Sequence, residues 1–169
     1  MMLLFAVLIG VLLAGLALFV GWMVRTARRL DRLHVRRDLA WQGLLAALDR
    51  RALVARTIAA TLGPAGAELA GLARAVESSA VAGPGREQWE SRLSVCLAEV
   101  EADTLTAQLV EERSDAEARV RFARCFYNDA VRDTRELRAR PAVRVFKLAG
   151  GAPLPEYFEI VEAAPSTAE

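Results

Sequence analysis

The chain has 169 residues, of which 54% are hydrophobic and 25% charged, and a net charge of +1 from 22 basic and 21 acidic side chains. A mean hydropathy of +0.23 beside that much charge requires unevenly distributed apolar residues, and near-neutrality argues against a dedicated nucleic-acid binder. Two cysteines and one histidine leave little for a metal cage or a disulfide framework.

Residues 1–24 carry no charged side chain, and the run MLLFAVLIGVLLAGLALFVGWMV over 2–24 is long enough for an α-helix to cross a bilayer. A cleavable signal peptide would have a positive n-region and a shorter apolar run, so an uncleaved anchor is expected ahead of an exported helical protein. Trp22 suits the membrane interface. Arg25, Arg28, Arg29, Arg32, Arg36 and Arg37 follow at once, with only Asp31 among them. Such a cluster is retained in the cytoplasm and attracted by anionic lipid, so the predicted topology is single-pass, with a short exterior N-terminus and the bulk cytoplasmic. Beside a span these arginines read as lipid contacts rather than DNA contacts. Ala6, Gly10 and Ala14, then Ala17 and Gly21, have the spacing that lets two membrane helices approach, which leaves a homo-oligomer open.

No proline precedes Pro64, and Leu30, Trp41, Leu44, Leu48, Ile58 and Leu62 keep helical spacing. The first helix is therefore predicted to run to Leu62, reaching roughly 55 Å from the membrane, and to stop at Gly63-Pro64. A second helix is predicted over Ala65 to Ala82, stopped by Gly83-Pro84-Gly85. Residues 86–140 contain neither glycine nor proline. Either one very long helix fills them or two meet near Asp103-Thr104-Leu105-Thr106, and the N-cap types there favour a break. Leu109, Ala116, Ala123, Ala130 and Leu137 recur every seven residues, with Val120 and Tyr127 four places on, as in a coiled-coil seam. After Pro141, VRVFKL alternates roughly, AGGAPLP reads as a loop, and EYFEIVEAAPSTAE reads as an acidic, partly disordered tail. Three regions result: an anchor (1–24), a cytoplasmic helical part (25–140) and a C-terminal extension (141–169).

Charge follows the same order: residues 25–56 are net +6, 57–118 net −7, 119–147 net +6 and the rest net −4. Helices of opposite sign attract when packed antiparallel. No glycine cluster leads into the Lys-Ser/Thr step of a phosphate-binding loop. His34, the only histidine, reads as a bundle-face or interfacial residue, and Cys96 and Cys125 as small buried hydrophobes. Glu99, Glu101, Asp103, Glu111 and Glu112 supply carboxylates, but a di-iron bundle needs Glu-x-x-His and none exists. Asn128 and Asp129, mid-helix, suggest an interhelical hydrogen bond that fixes register.

The stretch LVEERSDAEARVRFARCFYNDAVRD resembles the signature region of the LemA family of bacterial membrane proteins. The resemblance rests on Leu109, Glu111, Glu112, Ser114, Glu117, Arg119, Val120, Phe122, Ala123, Arg124, Phe126, Tyr127, Asn128, Asp129, Ala130 and Val131. Leu33, Arg36, Ala40, Trp41, Leu48, Arg50, Arg51 and Leu53 fit the family's first-helix pattern, and Pro141 and Glu156 to Glu159 its C-terminal one. The chain departs from the family at Arg56, Gly63 to Glu68 and Leu97-Ala98. The resemblance implies an elongated antiparallel helical bundle on a single anchor in a bacterial inner membrane, with no known enzymatic activity and a role in membrane-associated assembly for some relatives.

The expected fold is therefore all-α: an N-terminal transmembrane helix continuing into an elongated antiparallel bundle of three or four helices. The expected function is a non-catalytic membrane-anchored scaffold or adaptor, with the bilayer and other membrane or cytoplasmic proteins as partners. No nucleic acid, small-molecule substrate, cofactor or metal is expected; the rival reading is a carboxylate-based metal-binding or enzymatic bundle. Candidate membrane-surface contacts are Arg25, Arg28, Arg29, Arg32, Arg36, Arg37, Arg144 and Lys147. The candidate bundle-seam and family-signature positions are Trp41, Leu48, Leu109, Ala116, Val120, Ala123, Phe126, Tyr127, Asn128, Asp129 and Ala130. Four alternating helices would also return Arg135, Arg138 and Arg140 to the membrane surface and let Val143, Val145, Phe146 and Leu148 dip into it.

Overall fold

From Leu44 onward the first helix buries a residue every three or four positions: Leu44, Ala47, Leu48, Arg51, Ala52, Ala55, Ile58 and Ala59. That periodicity gives one continuous apolar stripe, and no proline interrupts it. The computed structural model, which describes residues 1–79 and 84–161, accordingly has a single helix α1 over Met2–Leu62. It ends where expected: Gly63 takes a positive φ of 60°, open to a residue without Cβ. The described residues are helical apart from short turns and an extended C-terminal segment, with no strand among them.

Past Gly63 the second helix is shorter than expected. A 3-10 turn occupies Gly63–Gly66, and α2 covers Ala67–Ser78, with Leu69, Ala73 and Val76 buried on one face. Gly66 is there because nothing larger fits: a Cβ would lie 2.3 Å from the Ala59 carbonyl oxygen. Gly66→Ala must push the turn off α1, and a loss of about 1–3 kcal/mol, the usual range for overpacking, is expected in a denaturant melt. Residues 80–83 lie outside the described set, so the expected stop at Gly83 does too. Pro84 does not belong to a turn; it opens α3, Pro84–Glu99, at the position where its missing N–H costs nothing.

The glycine- and proline-free stretch is divided. Between α3 and α4, Ala107–Ala139, lies a 3-10 turn at Ala102–Thr104. Thr106 caps α4 by accepting the Leu109 N–H at 3.3 Å. Arg113 closes the other side, donating to the Leu97 and Val100 carbonyls at 3.3 and 2.8 Å, which satisfies the end of α3. A short helix α5, Pro141–Val145, follows α4.

The chain divides into two compact units. One comprises Met1–Asp38 and Ala130–Glu156; its small core is Leu30, Leu137 and Val143, flanked by Leu33, Leu148 and Ala149. The other comprises Leu39–Asp129 and the segment from Tyr157. Its larger core joins Val54, Ala55 and Ile58 of α1 to Leu69 and Val76 of α2, Leu93 and Leu97 of α3, and Ala116 of α4. A second cluster sets Leu44, Leu48 and Val120 against Phe158 and Ile160.

Candidate functional site

In the first unit, the end of the apolar run meets the end of α4. Thr26 Oγ1 donates to the Trp22 carbonyl at 2.9 Å, and Leu30 packs on Leu137 and Val143. The Phe146 ring meets Phe19 edge-on, centroids 5.1 Å apart, and Phe19 stacks with Trp22 at 6.2 Å. Around this junction Arg25, Arg28, Arg29, Arg32, Arg140, Arg144 and Lys147 are exposed and form no ion pair among the described residues. The other two arginines of the expected collar are engaged: Arg36 pairs with Asp133 at 2.8 Å and Arg37 with its neighbour Asp38.

Two expectations for this region are corrected. Arg135 and Arg138 do not turn to the surface as free cations. Arg135 donates to the Pro155 carbonyl at 2.9 Å, and Arg138 to those of Pro153 and Ala152 at 2.8 and 2.6 Å, since an extended backbone leaves its carbonyls unpaired. Val143 is only 2% exposed, because α5 turns it onto Leu30; Val145, at 73%, and Phe146, at 44%, remain outward. Lys147 adopts a φ of 49° and lets the Leu148 N–H bond the Val143 carbonyl at 3.0 Å, an end usually given to glycine. His34 is half-buried and its Nε2 has no hydrogen-bond partner.

In the second unit, the seam residues divide. Leu48, Ala116 and Val120 are buried; Leu109, Trp41, Ala123, Tyr127, Asn128 and Asp129 are half-buried; Ala130, buried, belongs to the first unit. Phe126 is the exception: 65% exposed, one turn from Phe122 at 67%. One residue on a helix is a rotation of about 100°, so Phe126 and Phe122 flank the 123/127 stripe rather than share it. They border a groove of 600 Å³ floored by Gly43, Ala46 and Ala47. On its rim Arg119 donates to Asp115 at 2.7 Å, and that hydrogen bond is the main reason the Asp115 carboxyl lies below its ordinary range.

Asn128 does bond as expected of a mid-helix amide, but its partner is not a helix. Its Nδ2 donates to the Phe158 carbonyl at 3.1 Å and its Oδ1 accepts the Phe158 N–H at 2.9 Å. The Phe158 ring then lies 5.8 Å from that of Trp41, itself 5.0 Å from Tyr127. Glu87 accepts the Glu159 N–H at 2.8 Å and Ser91 the Val161 N–H at 3.0 Å. Up to Val161, therefore, the expected tail is a docked strap; residues 162–169 lie outside the described set. Asn128→Ala removes both bonds to a part-buried backbone, and a loss of about 1–3 kcal/mol is expected, with faster amide exchange at Phe158 and Glu159 as the check.

A buried ionic cluster had no place among the expected sites. Glu90, 0% exposed, accepts from Arg51 at 2.7 Å and from Arg86 at 3.3 Å. Arg51 also donates to Ser94 Oγ at 2.6 Å, and Arg86 reaches Asp49 at 2.8 Å. The visible signal was spacing: Arg86, Glu90, Leu93, Ser94 and Leu97 form one face of α3, and Arg51 falls in the buried register of α1.

The cysteines are less buried than expected. Cys96 is half-buried, its thiol pushed up by burial and by Glu68 and Glu99, and Cys125 is exposed. Glu99, Glu101, Asp103 and Glu111 face solvent, and no three His, Cys, Asp or Glu residues are grouped to hold a metal among the described residues. No family model, curated protein or solved structure matches the chain.

Proposed function

We propose that this chain is a membrane-anchored helical scaffold or adaptor of the LemA type, with residues 2–24 spanning the bilayer and the bulk of the chain on the cytoplasmic side. One observation carries the reading. The most apolar stretch of α1 buries none of its residues against protein, whereas the apolar residues after Leu30 in the same helix are largely buried or half-buried. Leu3, Leu4, Leu12 and Leu18 are all more than two-thirds exposed, a surface stable only in an apolar solvent. Unpaired arginines begin at the next turn, which supports the orientation.

The scaffold role is supported by what faces outward in the second unit. Phe122 and Phe126, in the stretch that resembles the family signature, border a groove large enough for a partner's side chains. Exposed Cys125 between them reports the side of the membrane. In cells expressing a Cys96→Ser variant, an impermeant maleimide is expected to label Cys125 only after permeabilisation. Labelling in intact cells would reverse the orientation. A photo-crosslinker at Phe126 is expected to give discrete protein adducts in native membranes that one at Ala139 does not; equal, diffuse products would remove the docking role.

A further inference from the structure

At the membrane-proximal end of the first unit, α1 and the α4–α5 corner enclose a recess of 190 Å³. Its wall carries Arg25 and Arg29, one helical turn apart on α1, and Arg140 from beyond the end of α4. None of the three guanidinium groups forms an ion pair or hydrogen bond among the described residues, so three exposed arginines border the recess with no carboxylate in its lining. Trp22, Thr26, Leu137, Ala142 and Val143 complete the lining, whose surface is mainly apolar. A second hollow, lined by Arg25, Arg29, Arg32, Leu33 and Arg36, shares two of those arginines.

We infer that this recess binds the phosphate of an anionic phospholipid headgroup, an inference that rests on the membrane reading of residues 2–24. Guanidinium groups match phosphate oxygens bidentately, and a site with three of them and no anion attracts one strongly. The apolar lining assigns the rest of the ligand: a bare phosphate has nothing to place against Trp22 and Ala142, the accessible apolar residues of the recess, while the glycerol and first acyl carbons of a lipid do. Depth agrees. Trp22 marks the interfacial end of the span, so the recess beside it lies at headgroup level. At 190 Å³ it is smaller than the roughly 300–1,000 Å³ of pockets for whole organic ligands, and suits a headgroup fragment whose chains stay in the bilayer.

The test uses the full chain in vesicles of phosphatidylcholine with a minority of phosphatidylglycerol, followed by native mass spectrometry of the lipid retained. Phosphatidylglycerol is expected to be retained over phosphatidylcholine. The Arg25→Gln/Arg29→Gln/Arg140→Gln variant should reduce its retention by about tenfold or more, the scale of losing charge-assisted contacts. A charge-matched Arg28→Gln/Arg144→Gln/Lys147→Gln variant, whose residues lie outside both hollows, removes the same charge from the membrane surface and should cost clearly less, about threefold or under. Equal loss in both variants would mean diffuse attraction only and would overturn the site while leaving the anchor intact. So would equal retention of the two lipids, or displacement of the lipid by inorganic phosphate, which would assign the recess to a soluble anion. If a triple variant melts early, Arg29→Gln against its neighbour Arg28→Gln makes the same comparison: a selective loss with Arg29→Gln supports the site, and matching losses overturn it. Failure of the full chain to enter vesicles of any composition would defeat the membrane reading itself.

Discussion

Removing residues 2–24 is expected to move the protein from the membrane pellet to the soluble fraction almost completely. The deleted run contains fourteen Leu, Val, Ile and Phe residues. At about 0.3–0.6 kcal/mol each, inserted at mid-bilayer, they favour insertion by about 4–8 kcal/mol, more than a thousandfold in partition across most of that range. The three buried residues of the first unit's core, Leu30, Leu137 and Val143, lie outside the deletion, so its helices have no reason to separate. Phe146 loses Phe19 and becomes more exposed. The remaining arginines should leave only a weak attachment to anionic membranes, released by salt because exposed charges are screened within about 10 Å at moderate ionic strength. Fractionation with and without a high-salt wash checks both parts. Salt-resistant pelleting of the deleted form would show that residues 2–24 are not the main anchor.

Glu90→Ala is expected to cost about 3–5 kcal/mol, the range for breaking a buried ion pair by removing one partner. The loss leaves Arg51, at 3% exposure, with the Ser94 hydroxyl as its one remaining side-chain partner. Arg86 keeps Asp49, whose carboxylate is largely exposed. Arg51→Met with Glu90→Leu should cost clearly less than the two single changes together, because neither charge is then stranded. A denaturant double-mutant cycle followed by circular dichroism measures the coupling; strict additivity would show that the pair does not act as a unit. The cluster links α1 to α3 through charges that fit one register, which apolar packing alone specifies less sharply.

Features that depend on neighbouring residues were readable in advance. The bare apolar run, the arginines after it, the uninterrupted first helix and its stop at Gly63 all follow from composition and local backbone preference. Features that depend on distant partners were not. The spacing of Arg86, Glu90 and Ser94 marks one face of α3, but it does not say that Arg51, from another helix, is the charge that neutralises Glu90. Asn128 was conspicuous as an amide inside a helix, but a partner thirty residues on in an extended segment leaves no periodic trace. The strap was unreadable for the same reason: Phe158 and Ile160 fill a gap beside Leu44, Leu48 and Val120, while their own sequence is acidic and irregular. Phe126 faces outward although it stands in the family-like stretch, because such a signature mixes inward and outward residues and only the helix phase separates them.

The most direct test is the intact mass of the protein recovered from alkali-washed membranes. A chain that retains residues 1–24 and resists extraction is the expected result, with a mass that includes the whole 18.4 kDa. Recovery in the alkaline supernatant, or a mass lacking the apolar run, would contradict an anchored protein and leave a helical protein released from the membrane.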